Sequence, residues 1–148
     1  MTFRQFIGLM AAIGFVCILV IISDFTSTRN DENNAVKNIG NLCRWQWNHF
    51  QKYKAMTHIG YITQNDPLYN YSWRNPGLAY NSAVVEAKPK RKSLSSFIGI
   101  ALAPAGNQAS YVCQICKSNN SNVTLNTSTM IKGRVIDCPR DYHFHSQG

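Results

Sequence analysis

Four cysteines carry the most specific chemistry in the chain: Cys113 and Cys116 in a Cys-x-x-Cys, Cys138 downstream of them, and Cys43 far upstream. Two chemistries use such a set. In an oxidising compartment an even number of cysteines closes disulfides. On a reducing side, Cys113, Cys116 and Cys138 with His143 or His145 would form a zinc ligand set, but that motif needs a second knuckle, which this chain lacks. A thioredoxin-like redox role would need a βαβ pattern around the Cys-x-x-Cys, and none surrounds it. Two disulfides are therefore the expectation, with no metal and no cofactor. Four cysteines allow three pairings. If residues 111–116 form a strand, Cys113 and Cys116 point to opposite faces and cannot easily pair with each other. The preferred assignment is Cys116 with Cys138, closing a loop of about twenty residues worth roughly 3 kcal/mol, and Cys43 with Cys113, stapling a helix to a sheet.

Catalytic constellations are missing from the pattern. There is no G-x-S-x-G, no H-E-x-x-H and no phosphate-binding Gly-rich loop, and the seven carboxylates form no close pair for acid–base work. A non-enzymatic protein is expected. The densest charge run is Lys88-Pro89-Lys90-Arg91-Lys92, read either as a solvated hairpin turn or as an electrostatic patch (Lys88, Lys90, Arg91, Lys92) for anionic headgroups, an acidic partner or DNA. Any DNA contact would be weak, salt-sensitive and non-specific, because nothing supplies sequence readout. Pro89 and its charged neighbours would also blunt a sheet edge. Trp45 and Trp47 lie two positions apart, about 200° around a helix, so they cannot both face a sheet. One of them is expected to be exposed or covered by a partner. Asp141 to His145 is read as a solvated or partner-contacting tail.

These residues need elements to position them. The chain has 148 residues and a formal charge of +8, enough for one basic domain. Its apolar content is concentrated in Phe6 to Ile22, a run without charge or strong polarity. Seventeen helical residues span about 26 Å, slightly short of a hydrocarbon core of ~30 Å, and Phe3 and Ser23 can make up the difference. No A-x-A cleavage pattern follows, so a retained anchor is expected over a cleaved signal. Arg4 before the span and Asp24 after it favour a cytoplasmic N-terminus and a translocated C-terminal domain. Gly8, Ala11, Ala12 and Gly14 fall at helical spacings that would let a partner helix approach closely. The expected organisation is a single membrane span over residues 1–25 and an outer domain over 26–148.

Residues 23–34 are polar and read equally as a linker or as the start of a further helix turn. From Ala35 onward Val36, Ile39, Leu42, Cys43, Gln46 or Trp47, and Phe50 recur at helical spacing, which predicts an amphipathic helix ending near Lys54 with one face on a sheet. Turn signals at Asn65-Asp66-Pro67, Asn75-Pro76-Gly77, Pro104-Ala105-Gly106 and residues 118–122 then separate strand-length pieces at 68–73, 79–87, 95–102, 111–116 and 133–136. The predicted class is α+β: an N-terminal transmembrane helix continuing toward an amphipathic helix packed on a C-terminal antiparallel sheet.

Four segments in this order resemble the type IV pilin-like proteins of cyanobacteria. Asn41-Leu42-Cys43-Arg44-Trp45-Gln46-Trp47 is similar to the family's N-x-x-R-A-Q-Q-A-Y helix segment, and Tyr69-Asn70-Tyr71-Ser72-Trp73 to its N-Y-S-Y strand. Leu94 to Ala101 resembles L-K-S-Y-x-G-A-V, and Ile115-Cys116 with Cys138-Pro139 resembles the I-C-E and C-P pair framing a C-terminal disulfide loop. The resemblance implies a pilin-like fold and a structural role as a minor or atypical type IV pilin component, in contact with lipid and pilus subunits. Pilin-like proteins also include DNA-uptake components.

The chain departs from that pattern at its start. Setting Ser23-Asp24-Phe25 against the family's P-S-F places the mature start at Met1 or Thr2, so a prepilin leader is not expected. Gln5 or Phe6 then stands where the family has the glutamate that neutralises a neighbouring subunit's N-terminal amine. Gly14-Phe15 imitates a cut site, but cleavage there would remove half the span. An unpaired amine in a low-dielectric bilayer is costly. The alternative implied by these departures is an accessory subunit of a larger membrane complex, such as a cyanobacterial photosynthetic complex of the thylakoid, with the outer domain stabilising or capping its lumenal side. The outer domain would accordingly be periplasmic or lumenal.

Overall fold

The computed structural model describes residues 3–56, 65–74, 81–103, 111–118, 131–132 and 135–145, and within them the side chains of all but 3–9, 11–12, 74, 131–132 and 135. The fold is α+β: one long N-terminal helix, apolar over its first half, and a five-stranded antiparallel sheet. The helix, α1, runs from Phe3 to Tyr53. By its internal contacts the chain divides into two compact units, Met1–Asp31 and Glu32–Gly148.

The polar stretch after the apolar run is helical, not a linker. No Gly or Pro falls between residues 15 and 39 to break the ladder. Its hydroxyls also bond back onto the helix that carries them: Ser23 Oγ donates to the Val20 carbonyl (2.8 Å), Thr26 Oγ1 to that of Ser23 (2.9 Å) and Thr28 Oγ1 to that of Asp24 (2.9 Å). In the first unit Ile13, Phe15, Val16, Ile18, Leu19, Val20, Ile21 and Ile22 are all exposed, around the whole circumference. A helix that is apolar on every side and buried on none is long and apolar enough to cross a bilayer. Lys54, with φ 56°, ends α1 by donating its N–H to the Phe50 carbonyl at 2.8 Å, the left-handed cap that a helix end needs to satisfy a last carbonyl.

In the second unit the strands are β1 (Tyr69–Arg74), β2 (Ser82–Pro89), β3 (Ser96–Leu102), β4 (Val112–Ser118), β5 (Ile131–Lys132), β6 (Val135–Ile136) and β7 (His143–Phe144). The sheet order is β1-β2-β3-β4-β7, every pair antiparallel, and β5 and β6 form a separate two-stranded ribbon. β2 lies further along the chain than expected and takes in Lys88 and Pro89, which stand opposite Asn70 and Tyr69. Pro89 therefore closes an inner strand and does not guard an outer edge. The expected turns at 75–77 and 104–106, and residues 79–80, 119–122 and 133–134, lie outside the described residues.

Alternation along the strands makes two apolar layers. One face presents Tyr69, Tyr71, Ala83, Val85, Ala87, Phe97, Ala101 and Ile115 to Ala35, Val36, Ile39 and Cys43 of α1, with Leu42, Trp47 and Phe50 packed at the margin. Of the two residues offered for the next helical position, Gln46 is fully buried and Trp47 lies beside it at the core margin. The opposite face gathers Val84, Ile98, Ile100 and Cys116, covered by Ile136, Cys138 and Tyr142. Burial there, together with the Glu86 carboxylate, pushes the Tyr142 hydroxyl up to about 12.

The segment Asp141 to His145 is thus not a free tail. Bonding of Cys138 to Cys116 brings the chain back to β4. A turn in which Tyr142 N–H donates to the Pro139 carbonyl (2.8 Å) then lays His143 and Phe144 beside Lys117 and Cys116.

Candidate functional site

Two disulfides are formed, Cys43–Cys113 and Cys116–Cys138, with Cα separations of 6.0 and 5.7 Å. Each cysteine of the alternative zinc set is therefore bonded to sulfur. Cys43 and Cys113 join α1 to β4 on the helix-facing side. Cys116, on the other face of the same strand, holds the C-terminal return.

Polar contacts also hold α1 on the sheet. Glu32 accepts the Ser95 backbone N–H at 3.0 Å and a charge-assisted bond from Lys117 Nζ at 2.7 Å, so one carboxylate ties α1 to β4 and to the residue before β3. Burial pushes this carboxyl up, but the bonds from Lys117 and Ser95 and the Lys117 charge outweigh it, and its pKa lies below the ordinary 4.5. The sign follows from that depression. The carboxylate's stabilisation is fully present above the unfolded value and is lost as pH falls through the lower folded one. Glu32→Gln is expected to destabilise the domain by on the order of 1 kcal/mol at pH 7, after discounting for solvent screening. The gap to the parent chain should close as pH drops below 4.5, and a gap that stays constant in urea titrations across this range would refute the assignment.

A second knot centres on Asp66. Its Oδ1 accepts the N–H groups of Leu68 (2.8 Å) and Tyr69 (3.1 Å), while Oδ2 accepts the Tyr71 hydroxyl (2.9 Å) and Asn38 Nδ2 (3.3 Å). Burial raises the Tyr71 pKa. Asn38 opposes that rise, and the bond to Asp66 and its charge reinforce it.

In the basic hairpin Lys90 is engaged: its N–H donates to the Leu68 carbonyl (2.8 Å) and its Nζ to that of Asp66 (2.7 Å). All four cations, Lys88, Lys90, Arg91 and Lys92, are exposed.

The two tryptophans also separate as their spacing requires. Trp47 stacks on Tyr111 (5.4 Å between centroids) and Phe50 (5.9 Å) at the core margin. Trp45 is 49% exposed and heads a row along α1 at four-residue intervals, Trp45, His49 and Tyr53, with Trp73 of β1 stacked against it at 6.1 Å. Lys52 Nζ lies 5.0 Å from the Tyr53 ring centre. Of the small residues in the apolar run, Gly14 faces open space, and the surroundings of Gly8, Ala11 and Ala12 are outside the described side chains.

One feature of the outer domain was missed in the sequence. A groove of about 710 Å³ runs between α1 and the outer side of β4, lined by Lys37, Gly40 and Arg44 from the helix and Cys113, Ile115 and His145 from the sheet. The available signal was Gly40, a helix-interior glycine with Lys37 three residues before it and Arg44 four after, on one helical face. No family model matches the chain, and no curated protein or solved structure matches it either.

Proposed function

We infer that this is a non-enzymatic, single-pass membrane protein whose pilin-like outer domain acts structurally, as a minor or atypical type IV pilin component. The observation that carries the reading is α1 itself: its first half is apolar and exposed, and its second half is built into an antiparallel meander by core packing and a disulfide. Such a helix makes anchor and domain one element. In the filament reading the apolar halves pack together and the sheets face outward, with the N-terminus cytoplasmic and the domain in an oxidising compartment suited to its disulfides.

A second reading, an accessory subunit of a larger membrane complex on the periplasmic or thylakoid-lumenal side, is favoured by two observations. Residues 1–23 carry no carboxylate to neutralise a neighbour's amine within the bilayer. The half-exposed Trp45 row offers one contact surface on the outer domain, and the exposed Lys88, Arg91 and Lys92 offer a separate, basic one.

Mild detergent extraction, native separation and shearing of cells distinguish the two. The pilin reading expects the chain in sheared filaments. The subunit reading expects co-migration with a large integral complex, from which Gly8→Leu with Ala12→Leu, or Trp45→Ala, releases a folded chain. Recovery of the chain only as an isolated species would overturn both.

A further inference from the structure

Among the described residues the outer edge of β4 is only partly covered. β7 pairs with Cys116 and Lys117, and His145 N–H donates to the Ile115 carbonyl at 2.9 Å. Among the described residues no strand pairs with Val112 to Gln114 on that side. In an antiparallel strand alternate residues turn both backbone groups to the same neighbour. Since Ile115 bonds outward to His145, Cys113 two residues earlier also turns its N–H and C=O outward, away from β3. A strand edge left open in this way is a template for another chain.

The wall above this edge is as informative as the edge. Gly40 contributes no side chain, and a Cβ built on it meets nothing within 4 Å, so the groove is open beside that residue. Lys37, Arg44 and His145 line the groove, and among the described residues no carboxylate does. Glu32, five residues before Lys37 on α1, is held by Lys117.

The geometry points to a strand-addition site: an extended, acidic segment of a partner protein pairs with the outward backbone of Cys113 in line with β7, and its carboxylates meet Lys37 and Arg44 beneath Gly40. Backbone bonds supply the docking and the cations supply the choice of partner. This deepens the structural reading above and rests on it only in requiring a protein partner.

The test uses the full chain in uncharged detergent and a synthetic peptide of alternating valine and glutamate, about eight residues long at ~3.4 Å each. Binding should slow hydrogen exchange at the Cys113 amide and should weaken about tenfold when Lys37 and Arg44 are both changed to glutamine. It should also weaken by about tenfold or more when alternate peptide amides are N-methylated, which removes the ladder donors and leaves the charges. Gly40→Leu fills the groove and improves helix propensity, so it should abolish binding in a chain that still folds. Equal binding of the N-methylated peptide, or equal competition by anionic phosphatidylglycerol vesicles, would reduce the site to a basic patch and overturn the proposal. So would a Cys113 amide already slow without peptide, which would mean that residues 146–148 occupy the edge. Because the assay uses purified chain and synthetic peptide, its failure leaves both readings of the proposed function intact, and those fail separately in the fractionation and shearing.

Discussion

Replacing Gly99 by alanine is expected to destabilise the outer domain by about 2 kcal/mol, and by valine more, although either change removes glycine's entropic penalty from a strand interior. Gly99 sits mid-β3, opposite Val85 on one side and Ile115 on the other, directly under α1. A Cβ there would collide with the Ile39 side chain and would come within 2.9 Å of Val85 Cγ1 and 3.4 Å of Cys43 Sγ. None of these neighbours can move freely. Ile39, Val85 and Cys43 are fully buried, and Cys43 is bonded to Cys113. The extra carbon must therefore lift the helix off the sheet or force strained rotamers, and in a close-packed interior either is costly. Urea unfolding followed by tryptophan fluorescence should show a lower midpoint at unchanged slope. An unshifted midpoint would mean that α1 does not rest on Gly99.

Removing the Cys43–Cys113 bond by changing both residues to alanine should cost about 4 kcal/mol in a chain-entropy account, because the bond closes a loop of 70 residues. The same change at Cys116 and Cys138, 22 residues apart, should cost about 3 kcal/mol. The consequences differ in place as well as size. Loss of the first frees α1 from β4, whereas loss of the second frees the return that carries Tyr142 and β7. Hydrogen exchange should accordingly report opening at the α1–β4 contact in one variant and around residues 138–145 in the other. If the first pair of alanines leaves stability unchanged, that bond does not form in the protein. Cys43 also touches the space over Gly99, so these two perturbations are not expected to add.

How far the fold was legible can be judged element by element. The helical stripe through Val36, Ile39 and Cys43 could be read because a period of 3.6 residues is local. Strands β1 to β4 could be located to within a few residues because Asp66-Pro67 and the Lys-rich turn mark their ends, whereas of the piece expected at 133–136 the described residues show only β6, in a ribbon separate from the sheet. The continuity of α1 through Ser23 to Asn34 was not legible. Whether serine and threonine terminate a helix or bond back onto it depends on the turn they already occupy. β7 was also hidden: two residues, His143 and Phe144, make no periodic pattern, and only the bond from Cys138 to Cys116 brings them to β4. That the two tryptophans part, Trp45 to the surface and Trp47 to the core margin, followed from their 200° separation, but which of them turned inward depended on how the helix docked.

By itself the sequence determined what is short-range: an apolar run long enough to cross a bilayer, one amphipathic helical face, alternating strands, and cysteines on opposite faces of one strand. These follow from periodicity and side-chain chemistry, which need no knowledge of distant contacts. Tertiary structure alone decided which glycine is a seat and which an opening. Gly99 lies beneath Ile39 and Cys43, while Gly40 borders a groove, and their neighbours along the chain do not show which of them packs against another element. The difference arises because the Cys43–Cys113 bond and the Glu32 contacts set α1 over β3, so that Gly99 lies under the helix while Gly40 does not lie against the sheet. Contacts between residues as many as 85 positions apart fix that placement, and no local pattern encodes it.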